Sequence, residues 1–267
     1  MERDPIEGGA DVGRDVARDL GDEPPPLYRD AAPDVLAPID ASAPVSGHTP
    51  APESTGSAVD APEHDWSQAK TLIRPAFRPV GTQGQPIESI DRDALMATAA
   101  HSHAQPLLDT GPAGLPVVYT ISAGAFDIIV NGDHLLSWGI QPSELQDAAM
   151  ANLAAWSASA PWTDEASGDR RLISSDTGDG TDAVRILLPE VMAHLASELG
   201  ANGRILVGVP ERDLLTAGTL RPGDDDFAAM FADFIVEHSG GADEPVDRRV
   251  FEIVDGRLVE FGGVASG

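Results

Sequence analysis

The stretch from Val184 to Leu215, VRILLPEVMAHLASELGANGRILVGVPERDLL, constrains the fold more than any other part of the chain. Two short aliphatic runs, AVRILL and RILVGV, flank a segment opened by Pro189 and closed by Gly200. Proline suits a first helical turn, where its missing N–H would have no partner, and glycine suits a helix exit. Between them Leu188, Val191, Met192, Leu195 and Leu199 form one stripe at helical spacing. The pattern predicts a strand, a helix and a second strand at 204–209, a unit with the form of a right-handed parallel crossover.

Other segments carry local signals. LPVVYTI (115–121) is β-branched and aromatic, and AFDIIV (125–130) follows Gly124, which predicts a hairpin ending at Asn131-Gly132. In SELQDAAMANLAAW, Ser143 and Gln146 have the capping-box form, with Leu145, Ala149, Leu153 and Trp156 along one stripe. Residues 158–168 read as irregular, RRLISS as a strand, and DTGDGTD (176–182) as a flexible acidic turn. From Asp224 to His238 three aspartates precede an apolar face of Phe227, Met230, Phe231, Phe234 and Ile235. The closing VFEIVDGRLVEF predicts a hairpin turning at Asp255-Gly256. Upstream, Asp91 is placed to cap a helix over 90–100, and Pro75 and Pro79 forbid a long helix in LIRPAFRPV.

Residues 1–66 differ in kind. They are rich in Pro, Asp, Ala, Ser and Gly, with too few large apolar side chains to offset backbone ordering entropy. We expect a disordered acidic extension, then one domain over 67–262 and a flexible tail at 263–267. Within the extension, Val12, Val16 and Leu20 lie four apart and would share one face of a short, marginal helix. The expected fold class is α+β, a mixed sheet of about five to seven strands packed with two or three helices.

Net charge is -27, so phosphate-bearing partners would be repelled, and neither nucleic acid nor an anionic membrane is expected. Lys70 is the only lysine. The absence of cysteine excludes disulfides, thiolate nucleophiles and Cys-ligated metals. The N-terminus lacks a basic region followed by an apolar one, and no apolar run approaches the ~20 residues of a membrane span, so a cytoplasmic location is expected.

Residues 104–261 resemble the YtpQ-like family, also called DUF1444. LPVVYTI, WGIQPSELQDAAMANLAAW, VRILLPEVMAHLASELG, RILVGVPERDLL and FEIVDGRLVEF carry the resemblance in that order. The long acidic extension and the Gly- and Asp-rich insert around Asp176 depart from the pattern. The resemblance implies a fold and supplies no reaction and no catalytic residues.

Several residues stand out as candidates. If 184–188 and 204–209 were parallel, Glu211, Arg212 and Asp213 would lie beyond the carboxyl end of a strand, where open α/β sheets hold ligands. Arg212 would then clamp a carboxylate or phosphate, oriented by Asp213 or Glu211, unless an internal Arg–Asp pair locks the loop. Asn152 falls in an apolar stripe and must find partners; a structural amide is the expected role. Arg185, opening an apolar run, is expected in a boundary ion pair. His101 and His103 flank Ser102 without further ligands nearby, and the Asp176 loop lacks the alternating ligands of a calcium site. No metal or cofactor is therefore expected.

No P-loop, dinucleotide fingerprint, nucleophile elbow or zinc-protease helix is present. The expected function is a non-catalytic binding or regulatory module, engaging a protein partner through its extension or its domain surface. The alternative is a small-anion sensor, or an enzyme of unrecognised type, using loop 210–213. Oligomeric state is left open.

Overall fold

The computed structural model describes residues 61–122 and 126–262, all within one unit running from Thr55 to Gly267. The expected segment at 10–20, nearly all of the acidic extension and the 263–267 tail lie outside the described residues.

Asp65 accepts from the Ser67 N–H at 2.8 Å and caps α1 (Trp66–Leu72), which runs into β1 (Ile73–Phe77). After β2 (Gln85–Pro86), Asp91 caps α2 (Arg92–Ala97) by accepting from the Asp93 N–H. Then come β3 (Leu107–Thr110), β4 (Pro116–Ser122) and β5 (Asp127–Ile129), and β4 and β5 form the expected antiparallel hairpin. The hairpin ends before Asn131-Gly132, as expected, and that pair starts α3 (Gly132–Trp138). There the Asn131 side chain accepts from the His134 N–H, and the His134 ring accepts from the Asn131 N–H, both at 3.1 Å.

Next is α4 (Pro142–Ser157), whose capping contact lies two residues before the expected Ser143–Gln146 box. The Gln141 N–H donates to Glu144 at 3.1 Å, while Gln146 donates to Asp109 at 2.8 Å. The region expected to be irregular contains β6 (Thr163–Ser167), paired antiparallel with β7 (Arg170–Ser175) across Gly168 at φ +61. Every residue of β6 is exposed and most are polar, so no apolar alternation marks it.

AVRILL is not a strand. Ala183–Leu187 coils into a 3-10 helix that leads directly into α5 (Pro189–Leu199). An apolar run buried on all sides has no period-2 signature to separate a strand from a tight helical turn. The crossover is therefore absent: β8 (Arg204–Glu211) pairs antiparallel with β9 (Leu214–Leu220) on one side and with β10 (Phe251–Val254) on the other. Between β9 and β10 runs α6 (Asp225–Gly241), capped by Asp224, and β11 (Arg257–Glu260) closes the final hairpin. That hairpin turns at Asp255 and Gly256, both with positive φ, as its Asp-Gly pair predicts.

The class is α+β, with the strands divided between two sheets. The smaller has the order β1-β4-β3-β2 with β5 added to β4, and its one parallel pair is β2 with β3. The larger, β11-β10-β8-β9-β7-β6, is antiparallel throughout. One face of the larger sheet packs on α5, the 183–187 turn and the Phe77 end of the smaller sheet. Its other face packs on α6 through Phe227, Phe231 and Ile235. The smaller sheet buries Ile73, Tyr119 and Ile121 under α1, α3 and α4.

Candidate functional site

Glu211, Arg212 and Asp213 occupy the tight turn of the β8–β9 hairpin, with Glu211 opposite Leu214. They do not lie at the carboxyl end of a parallel strand, because β8 has only antiparallel neighbours. Backbone bonds hold the turn from both sides: the Ala183 N–H donates to the Arg212 carbonyl at 3.0 Å, and the Val246 N–H to the Pro210 carbonyl at 2.9 Å. The Arg212 side chain, 11% exposed, donates to Asp127 at 2.6 Å and to Glu244 at 2.7 Å. Burial disfavours its charge, but the two carboxylates outweigh that and hold its pKa above the ordinary arginine value.

Asp213 makes no ion pair with Arg212 and accepts from the Gly180 N–H. Glu211 lies 3.8 Å from His238. The expected triad is thus dispersed, and Arg212 joins the small sheet through Asp127 to the chain before β10 through Glu244. Beside it, a cavity of about 40 Å³ next to Thr120, Ser122 and Asp179 has room for water rather than for a metabolite. An anion entering here would have to displace a carboxylate already bonded to the guanidinium.

Arg185 is not in a boundary ion pair. It is 1% exposed in the 3-10 turn, which aims it inward. Its donors reach Ser157 Oγ at 3.0 Å and Ser175 Oγ at 2.6 Å, and the carbonyls of Ser157, Ala160 and Pro161. Its guanidinium lies 3.8 Å from the ring centroid of Trp162. Burial pushes its pKa down against the pull of Asp182, yet an arginine stays charged. Asp182 is fully buried and accepts from Ser175 Oγ, the Thr177 N–H at 3.0 Å and Thr177 Oγ1 at 2.7 Å. The serine hydroxyl relays the two opposite charges, and the DTGDGTD loop is pinned at Asp182 rather than free.

Asn152 faces the start of the small sheet and donates to the carbonyls of Lys70 at 2.9 Å and Ile73 at 2.7 Å. Those carbonyls end α1 and begin β1, so the amide splices the two elements. The histidines stay apart from any metal geometry: the His103 N–H donates to Asp133, and among the described residues no three potential ligands converge. Among the same residues, no helix is long and apolar enough to cross a membrane.

Sequence reasoning missed an apolar groove. Between α6 and the β6–β7 hairpin lies a groove of about 510 Å³, lined chiefly by Leu172, Phe227, Met230, Phe231 and Phe234 with Glu165 at its rim. Met230 was expected to face the core but is 52% exposed. Its signal was in the sequence: Met230 and Phe234 widen the apolar face of α6 beyond what one sheet covers. Arg170 and Arg171 also line the groove, and both are neutralised. Arg170 grips Asp224 with bonds of 3.0 and 2.6 Å, and Arg171 holds Asp164 and Glu198.

No family model matches the chain, and neither a curated protein nor a solved structure matches it.

Proposed function

We propose that this chain is a non-catalytic, cytoplasmic protein-binding module, a divergent relative of the YtpQ-like proteins, and that the α6–β6 groove is its docking surface. The observation that carries this is the apolar wall of that groove, which nothing else among the described residues covers: exposed Met230 and half-buried Phe234 lie beside buried Phe227 and Phe231. Exposed contiguous apolar surface rimmed by polar groups is where partner proteins dock. The two buried arginines are largely committed to internal partners. Arg212 is held by two carboxylates, and Arg185 spends its donors on the core.

The test immobilises the full chain beside a Met230→Glu variant and a Phe234→Ser variant in cell extract and identifies the proteins retained. Unchanged thermal midpoints would certify both folds. Specific partners should be retained by the parent and lost from both variants; equal retention by all three overturns the groove as docking surface. In a parallel arm the parent is heated with phosphorylated and carboxylated metabolites. A raised midpoint that disappears in Arg212→Ala would favour the anion-sensor alternative instead.

A further inference from the structure

Resting on the binding-module reading, we infer that the partner presents an extended cationic segment, with apolar residues at the positions that enter the groove, and that it adds to β6 as one further strand. β6 ends the large sheet: Thr163–Ser167 pairs with β7 on one side, and no strand among the described residues pairs with the other. Alternate backbone N–H and C=O groups of its outer edge are therefore free to pair with an incoming strand.

Register places the groove on the correct side of that edge. Glu165 lies opposite Leu172, whose side chain packs toward Phe227 and Phe231, so the groove face of the hairpin is the Glu165–Leu172 face. A strand docked on β6 would direct every second side chain toward α6 and the groove, because side chains alternate with period two. Backbone pairing would supply affinity, and the apolar pocket would select the residues that enter it.

Charge acts on the same groove-facing side of the edge, where Glu165 lies. Met230 lines the groove, and Asp226, Asp233 and Glu237 share its ridge of α6 at helical spacing. Asp226, Asp233, Glu237 and Glu165 make no ion pair among the described residues, whereas Arg170 and Arg171 are already neutralised. The rim is acidic on a chain of net charge -27, which complements a cationic segment. A second copy is the wrong occupant, because pairing β6 with itself would bring Asp164 and Glu165 against like charges.

The experiment selects random linear peptides displayed against the full-length chain and measures the enriched ones by fluorescence anisotropy. Enriched sequences should be basic, with apolar residues two apart. Their affinity should fall more than about tenfold in Phe234→Ser and in the double variant Glu165→Lys/Asp233→Lys, and should weaken as KCl rises. N-methylation of alternate peptide amides should abolish binding, while methylation of the intervening amides leaves it. Enrichment without basic residues, apolar spacing of helical period, insensitivity to N-methylation or an empty selection each overturns the proposal. If the groove variants still lose partners from extract, the docking surface stands and only the segment's chemistry and strand mode fall. Partners and peptides that both ignore the variants bring down the two together.

Discussion

Arg185 is a cation almost without access to water, tolerable only because every donor finds an acceptor and Asp182 lies one hydroxyl away. Removing it leaves a buried carboxylate without its counter-charge and several carbonyls unsatisfied. Arg185→Ala should therefore cost about 3–5 kcal/mol in urea unfolding. Arg185→Lys should remain destabilised, since an ammonium brings three donors in place of five. A loss below about 1 kcal/mol for the alanine variant would show that water replaces the network. His134 supplies a pH response. Burial pushes its pKa below the ordinary histidine value, against the pull of Asp133 and Glu63, and its ring accepts the Asn131 N–H that starts α3. The unfolded chain therefore binds the proton more readily than the folded one. The contribution is complete above about pH 6.5 and is lost as pH falls through the lower folded value. Urea midpoints should decline over that range for the parent and less steeply for His134→Gln, which keeps a capping-box acceptor. Identical slopes would remove His134 as the cause.

Among the elements, α6 sits close to the large sheet because two glycines make room for it. A Cβ on Gly208 would collide with Ile235, lying 2.7 Å from its Cγ1, and one on Gly218 would lie 2.7 Å from Phe227 Cζ. Ile235 is fully buried and cannot swing clear. Gly208→Ala should destabilise by about 1–3 kcal/mol, and adding Ile235→Val should recover part of that loss in a double-mutant cycle. Strict additivity would mean that the two side chains do not meet. Gly218 lies against Phe227 and Leu172, which line the docking groove, so Gly218→Ala should also weaken peptide binding. Elements with terminal signals were legible: α5 from Pro189 and Gly200, α6 from its Asp cap, and the last hairpin from Asp255-Gly256. β6 and the 183–187 turn were not. One is polar on both faces and the other apolar on all sides, so neither carries a period.

At the scale of the whole molecule, acids outnumber bases by 44 to 17. Exposed ion pairs such as Arg171 with Asp164 contribute only about 0–1 kcal/mol each, so screening them costs little. Self-repulsion of the net charge acts over the entire surface. Raising KCl from about 0.1 to about 1 M shortens the screening length from ~10 to ~3 Å, and the thermal midpoint should rise. A midpoint that falls would mean that the ion pairs dominate instead.

The sequence by itself determined the α+β class, the three long helices, the terminal hairpin and the exclusion of cysteine chemistry. Each of these rests on contacts within a few residues or on composition alone. Only the tertiary structure decided what β8 pairs with, and with that the position of Arg212. It also decided the fate of Arg212, whose partners Asp127 and Glu244 lie 85 and 32 residues away in sequence. The groove is of the same kind: α6 supplies one wall and the β6–β7 hairpin the other. Hydrophobic spacing shows that a face is apolar, but only the assembled fold shows which part of it no described residue covers.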